Sequence, residues 1–347
     1  MKQAVMTSPG TIEFRDVPAP KPGPKDVLIR VRMIGICGSD IHVRHGRHPF
    51  TSYPVVQGHE FSGVVEAVGR RVESVRPGQK VTATPQLVCG RCAPCRRGDY
   101  HICDVLRVQG FQAPGCAQEL FLTREERIVP LPASFTFEQG ALVEPAAVGV
   151  HAVSRAGALA GVNAAVLGAG PIGNLVAQAA RAAGARVLIT DVSEFRLDIA
   201  RKCGLKHVAR AGRESLKEAS ARVFGAKGFD KAFECAAAEA ALNEAIGAIQ
   251  KGGTIVAVGV YGDRPRVDMG LVQDRELTLT GTLMYRRQDF VKAVRLIRSG
   301  GLVTGPLETR HFAFEQYRKA YDYIEQEGER SMKIFVDLDS IKQESLS

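Results

Sequence analysis

The chain has 347 residues, enough for about two domains, with 45% hydrophobic and 24% charged residues and a net charge of +9. The positive charge is spread in ones and twos, with no tryptophan and no basic ladder interleaved with aromatics; this argues against a nucleic-acid partner and leaves a mildly basic surface or attraction for an anionic substrate. No apolar run approaches the roughly 20 residues that span a bilayer, and Met1–Met6 lacks the apolar core of a signal peptide, so a cytoplasmic protein with no membrane contact is expected.

Residues 1 to about 85 read as short strands with turns. Pro18, Pro20, Pro22 and Pro24 mark a loop before Val27–Ile34, an apolar run that predicts a strand. Glu60–Val68 and Lys80–Ala83 predict two more, with Arg76-Pro77-Gly78-Gln79 as the turn between them. This half is expected to be a small β-rich domain. Residues 86–115 are loop-like, and 136–160 are Ala-rich and helical. From Ala164 onward strands and helices alternate: strands at 164–167, 186–190, 206–209, 230–234 and 254–258, helices at 171–183, 194–203, 214–223 and 238–249. Such alternation predicts a parallel sheet with right-handed crossovers. From residue 286 a helix, a strand or loop segment, a helix at 315–326 and a closing strand at 332–337 follow, and the last ten residues are polar and expected to fray.

The run from Val166 to Gly173 reads G-x-G-x-x-G at a strand-to-helix junction. Gly168, Gly170 and Gly173 suit a tight turn whose backbone N–H groups approach a pyrophosphate, held at the N-terminus of the helix that Pro171 and Ile172 begin. Asp191 ends the next apolar run, 21 residues after Gly170, where a carboxylate accepts from adenosine ribose hydroxyls. A 2′-phosphate would meet that charge, so NAD is expected over NADP. Arg196 packs on adenine, approaches the ribose, or is a surface residue of its helix. Gly259, after Ile255–Val258, is expected to border the nicotinamide half.

Four of the eight cysteines, Cys89, Cys92, Cys95 and Cys103, are spaced C-x2-C-x2-C-x7-C. Four thiolates close a tetrahedral shell around Zn²⁺, leave no open position, and hold a loop together without catalysing. An iron–sulfur cluster and four free thiols are the alternatives; zinc is taken because nothing else in the chain reads as electron transfer. Three further patches offer ligands: Gly35-Ile36-Cys37-Gly38-Ser39-Asp40-Ile41-His42, Gly58-His59-Glu60, and Leu142-Val143-Glu144-Pro145. Each alone is ordinary. Together one Cys, one His and one or two Glu supply three protein ligands, the count of a catalytic zinc whose fourth position is left for water or substrate.

These motifs, in this order and nearly end to end, resemble the zinc-containing medium-chain dehydrogenases of the polyol and sorbitol dehydrogenase type. The resemblance implies an α/β protein with a GroES-like β-rich catalytic domain over 1–150, a Rossmann doubly wound NAD-binding domain over 151–285, and a segment 286–347 returning to the catalytic domain. It implies two zinc ions per chain, one structural in the four-cysteine loop and one catalytic. Cys37, His59 and Glu144 would hold the catalytic ion, with Glu60 close enough to ligate or to swap with water. The implied reaction moves hydride from a secondary alcohol to NAD and yields a ketone. Ser39 would take a hydrogen bond from the alcohol and His42 would pass the proton to solvent, unless both are simple loop hydrogen-bonders. The resemblance also implies a homodimer or homotetramer, joined at the sheet edge near 254–282.

The loop from His42 to Pro54, of pattern H-x3-G-x2-P-F-x2-Y-P, resembles bacterial sugar-acid dehydrogenases acting on hexonates. Arg44, Arg47 and His48 would attract a carboxylate or phosphate there, or are solvated loop residues. Met284 stands where sorbitol dehydrogenases carry an arginine that holds polyol hydroxyls, so plain sorbitol is not the expected substrate. A sugar phosphate, a small diol, and a non-catalytic NAD-binding scaffold are the competing expectations.

Overall fold

The computed structural model describes residues 1–339, so from residue 340 on the polar tail expected to fray lies outside the described residues. The chain divides into two compact units, one of Met1–Glu144 with the segment from Glu308 on, the other Pro145–Leu307. The expected boundaries at 150 and 285 therefore shift to 144 and 307. The second shift has a clear cause. Tyr285 is fully buried with its ring 4.8 Å from that of Phe290, and buried Asp289 accepts from the Arg286 N–H and pairs with His151 Nδ1 at 2.9 Å. Helix Arg287–Arg298 is thus anchored in the second unit.

In the first unit, strand Asp26–Gly35 is the hub. Its apolar residues are buried along most of its length, which is why its sequence is a near-continuous apolar run. Glu60–Val68 pairs with it antiparallel, Gly35 opposite Glu60; Lys333–Asp337 pairs on its other side, Phe335 opposite Gly35. Three distant stretches therefore meet at one strand end: Cys37 just beyond Gly35, His59 and Glu60 at the start of the second strand, and Lys333 at the start of the third. Lys80–Ala83 and Ile128–Pro130 extend the sheet on one side and Glu308–Ala313 on the other, and Leu120–Arg124 pairs with the hub.

In the second unit the described residues form a six-stranded parallel sheet in the order His207–Arg210, Arg186–Asp191, Asn163–Leu167, Lys231–Glu234, Thr254–Ala257, Thr278–Gly281. This is the doubly wound order, whose ligand crevice lies at the carboxyl ends of the strands where the winding reverses, here between Asn163–Leu167 and Lys231–Glu234. Helix Pro171–Ala182 starts with Pro at its first turn and Gly170 as N-cap. A Cβ on Gly173 would lie 1.9 Å from the Gly168 carbonyl oxygen. Gly173→Ala is therefore expected to destabilise this unit by about 1–3 kcal/mol, the range for overpacking, and to weaken dinucleotide binding. Thermal scans with and without NADH check it, and an unchanged midpoint would count against the turn's role. Among the described residues no helix is long and apolar enough to cross a membrane.

Candidate metal centres and dinucleotide turn

Cys37 is the N-cap of helix Gly38–Arg44, and its N–H donates to Asp40 Oδ2 at 2.9 Å. Gly58, at φ +89°, turns the chain into His59; a side chain there would be strained and would put Cβ 2.8 Å from Cys116 Sγ. Gly35 leaves the space that Glu60 fills, since a Cβ would lie 2.6 Å from Glu60 Oε2. The result is a thiol, an imidazole and a carboxylate, from Cys37, His59 and Glu60, whose ligand atoms all lie within 4.8 Å of one another. Glu144 is buried nearby and its charge reaches His59, but it is not a member of that close group.

Two residues that motif reading left without a role surround the group. Asp40 is 1% exposed and its Oδ1 stands 3.7 Å from His59 Nδ1. Burial alone would lower the imidazole pKa, but Asp40 first and Cys37 next hold it well above the ordinary histidine range. Lys333, 3% exposed, donates to Glu60 Oε2 at 2.6 Å and to the Ile36 carbonyl at 3.2 Å. Asp40 lay inside a quoted motif; Lys333, 273 residues from Glu60, carried no sequence signal. The donor set fits zinc. Three mixed ligands match a catalytic site, and the buried His59 Nδ1, which has no hydrogen-bond partner among the described residues, faces a carboxylate as a metal-ligating imidazole's outer nitrogen commonly does.

Cys89, Cys92, Cys95 and Cys103 form a second close group. Cys92 Sγ and Cys103 Sγ are 3.8 Å apart, too far for a disulfide. A tetrahedron with Zn–S bonds of about 2.3 Å has sulfur–sulfur edges of about 3.8 Å, so this group also fits zinc. N–H groups of Arg91 and Cys92 point at Cys89 Sγ at 3.5 and 3.3 Å and lower its pKa to about 6.

In the second unit Gly168, Gly170, Pro171, Ile172 and Gly173 form the turn after strand Asn163–Leu167. Asp191 ends the neighbouring strand, 5% exposed, its carboxylate accepting from Ala169 N–H at 2.6 Å and Ser193 N–H at 2.8 Å. The Arg196 guanidinium borders Gly170, and its buried Nε has no hydrogen-bond partner among the described residues. Gly259 follows strand Thr254–Ala257 and packs against Ala237, where any Cβ would come within 2.5 Å of the backbone. Ala237 itself has φ +55°, so backbone strain gathers at the carboxyl ends of these two interior strands.

The loop after Cys37 departs from the expectation of an anion reader. Arg44 pairs with Asp322 at 2.5 Å and Glu325 at 3.2 Å, and His45 with Glu325 at 2.6 Å, so the Arg44 charge is already balanced. His48 instead stacks flat on Phe111 at 4.6 Å, and Phe111 lies 4.9 Å from the His59 ring. Burial, then His42, lowers the His48 pKa. Arg47 is exposed.

Metal centres joined to a dinucleotide turn are the equipment of an oxidoreductase. Residues 23–133 match the alcohol dehydrogenase GroES-like domain, and residues 171–299 match the zinc-binding dehydrogenase family. Sorbitol dehydrogenase of Bacillus subtilis (strain 168) is 31% identical over 342 residues, covering 97% of each chain. The 2-dehydro-3-deoxy-L-galactonate 5-dehydrogenase of Pseudoalteromonas atlantica is 36% identical over 289 residues, covering 83% of this chain and 84% of its own. A structure from Sinorhizobium meliloti 1021, described as a zinc-binding dehydrogenase bound to NADP, superposes with a TM-score of 0.89 at 29% identity, covering 97% of this chain and 99% of that one. The chain belongs to the zinc-containing medium-chain polyol dehydrogenase family.

Proposed function

We propose that the protein oxidises a secondary alcohol of a polyol or sugar acid to a ketone, with NAD as the hydride acceptor. The observation that carries this is the thiol–imidazole–carboxylate group of Cys37, His59 and Glu60 within 4.8 Å. When bound there, zinc supplies a Lewis acid that lowers the pKa of the substrate hydroxyl. Glu144, buried beside the group, is the alternative carboxylate ligand. Ser39 is half-buried on the helix that Cys37 caps and takes the hydrogen bond from the alcohol. His42 passes the released proton to solvent as general base, a role that its exposure one turn further along the helix supports.

The glycine turn cradles the pyrophosphate and Asp191 accepts from the adenosine ribose, with Arg196 flanking it; Asp191 supports NAD over NADP. The substrate reading draws on the relatives acting on a polyol and a sugar acid. His48, one ring away from His59 through Phe111, supports recognition of hydroxyls; with Arg44 engaged by Asp322 and Glu325, exposed Arg47 is the cation this loop offers a carboxylate. Assembly as a homodimer or homotetramer is supported by the open edge strand Thr278–Gly281, where Leu279 is 38% exposed, with Leu283 at 53% just beyond it. A cytoplasmic location is supported by a four-thiol cluster that needs a reducing compartment.

The test is reduction of NAD and of NADP, followed by nicotinamide absorbance, against hexitols, hexonates, sugar phosphates and short diols, with and without chelator. Chelator-sensitive NAD reduction with a hexitol or hexonate is expected. Turnover confined to diols or sugar phosphates would move the substrate class. No turnover, with zinc only at the four cysteines, would make the chain a non-catalytic scaffold.

A further inference from the structure

A buried amide stands behind the candidate catalytic centre. Gln57 is 2% exposed and immediately precedes Gly58-His59-Glu60. Its side chain is held at both ends. The Tyr321 hydroxyl donates to Oε1 at 2.9 Å, while Nε2 donates to the Asp40 backbone oxygen at 3.3 Å and to the Asp40 carboxylate at 3.4 Å. The orientation of the amide is chemically forced: Asp40 presents acceptors, so the NH₂ faces it and the oxygen faces the tyrosine O–H.

Asp40 links this amide to the ligands. One carboxylate oxygen accepts from the Cys37 N–H, and the other, which Gln57 touches, stands 3.7 Å from His59 Nδ1. Tyr321 is itself clamped. It is fully buried on helix Tyr317–Glu327, the Tyr317 ring lies 5.6 Å away, and the Arg44 guanidinium, fixed by Asp322 and Glu325, lies 5.6 Å over its ring. A contact spanning 264 residues of sequence thus ties the C-terminal helix to the back of the site.

We propose that Gln57, clamped by Tyr321, is a positioning residue for the catalytic metal: it holds the Asp40 carboxylate against His59 and so fixes the imidazole that ligates the ion. The inference rests on the assignment of Cys37, His59 and Glu60 as the ligand set. An amide suits the place. A carboxylate at 57 would set a second negative charge against Asp40, and an aliphatic side chain would strip the Tyr321 hydroxyl and Asp40 of a buried partner.

The test uses the full chain loaded with zinc, one ion for each of the two ligand groups. Wild type, Gln57→Leu, Tyr321→Phe and the double variant are titrated with a competing chelator, and the cobalt-substituted proteins give the visible spectrum of the catalytic site. Outer-shell losses typically cost roughly 10–100-fold in metal affinity. A weakening of that size is expected for the more labile ion in Gln57→Leu, a smaller one in Tyr321→Phe, a shifted cobalt band in both, and no change at the four-cysteine site. The double variant should be no worse than Gln57→Leu, since both act through one arm. Tyr321→Phe keeps the ring and its packing, so it reports even if Gln57→Leu does not fold. Unchanged affinity and an unchanged cobalt band in Tyr321→Phe and Gln57→Leu, or additive losses in the double variant, would overturn the proposal. Cys37→Ser measured alongside separates the two claims: if it still holds both zinc ions, the ligand assignment itself has failed.

Discussion

Cys37→Ser is expected to lower alcohol oxidation about a thousandfold while dinucleotide binding is retained. A serine hydroxyl stays protonated at neutral pH and replaces the thiolate with a poor zinc ligand. Losing a Lewis acid removes several kcal/mol of transition-state stabilisation; at about 4 kcal/mol that is about a thousandfold in kcat/KM. NADH affinity should stay within about twofold, because the groups expected to hold its phosphates and ribose, the glycine turn and Asp191, are left intact. Initial rates, zinc content and the fluorescence of bound NADH check the prediction; the chain has no tryptophan to complicate that signal. Wild-type turnover would remove Cys37 from the catalytic centre.

The second large effect concerns Lys333. Its ammonium and the Glu60 carboxylate face each other at 2.6 Å with side chains 4% and 1% exposed. Lys333→Met leaves that carboxylate buried without its cation. Breaking a buried pair from one side costs about 3–5 kcal/mol, which lowers the melting temperature of a unit of this size by roughly 6–20 °C. The paired replacement Glu60→Gln with Lys333→Met removes both charges and should recover most of the loss. Calorimetry and denaturant titration of the zinc-free proteins read the pair without a metal to satisfy Glu60. A single variant as stable as wild type would show that the ion pair does not hold the strand ends together.

The two experiments divide the chemistry between neighbours. Glu60 belongs to the close group with Cys37 and His59 and also accepts from Lys333, so a metal held by that group would share its carboxylate with the lysine. Glu144, buried close by, has its charge felt by His59 and by Lys333. One short strand end therefore gathers a thiol, an imidazole, two carboxylates, an ammonium and the Asp40 carboxylate behind them.

Much of this protein was legible in its sequence because the signals are local. Alternating apolar runs and helical segments from Ala164 to Val258 map onto five strands of the parallel sheet with boundaries shifted by a residue or two, while the sixth strand, Thr278–Gly281, went unread. The glycine turn and the four cysteines are short-range geometry, set by residues within a few positions of one another, and they stand together as expected. The candidate ligand residues could be picked out because each sits in a compact motif. What the tertiary structure alone decided is how charges and amides separated by most of the chain are paired. Glu60 joins the close ligand group and Glu144 does not, because Glu60 opens the strand that pairs with Gly35. Arg44 is neutralised by Asp322 and Glu325 rather than left for an anion, because the C-terminal helix returns to cover it. Lys333 meets Glu60 and Tyr321 meets Gln57 for the same reason: the last strand and helix pack on the first sheet. Periodicity tells which face of an element is apolar; it holds no information about which distant element covers that face, and buried polar groups take their partners from the element that does.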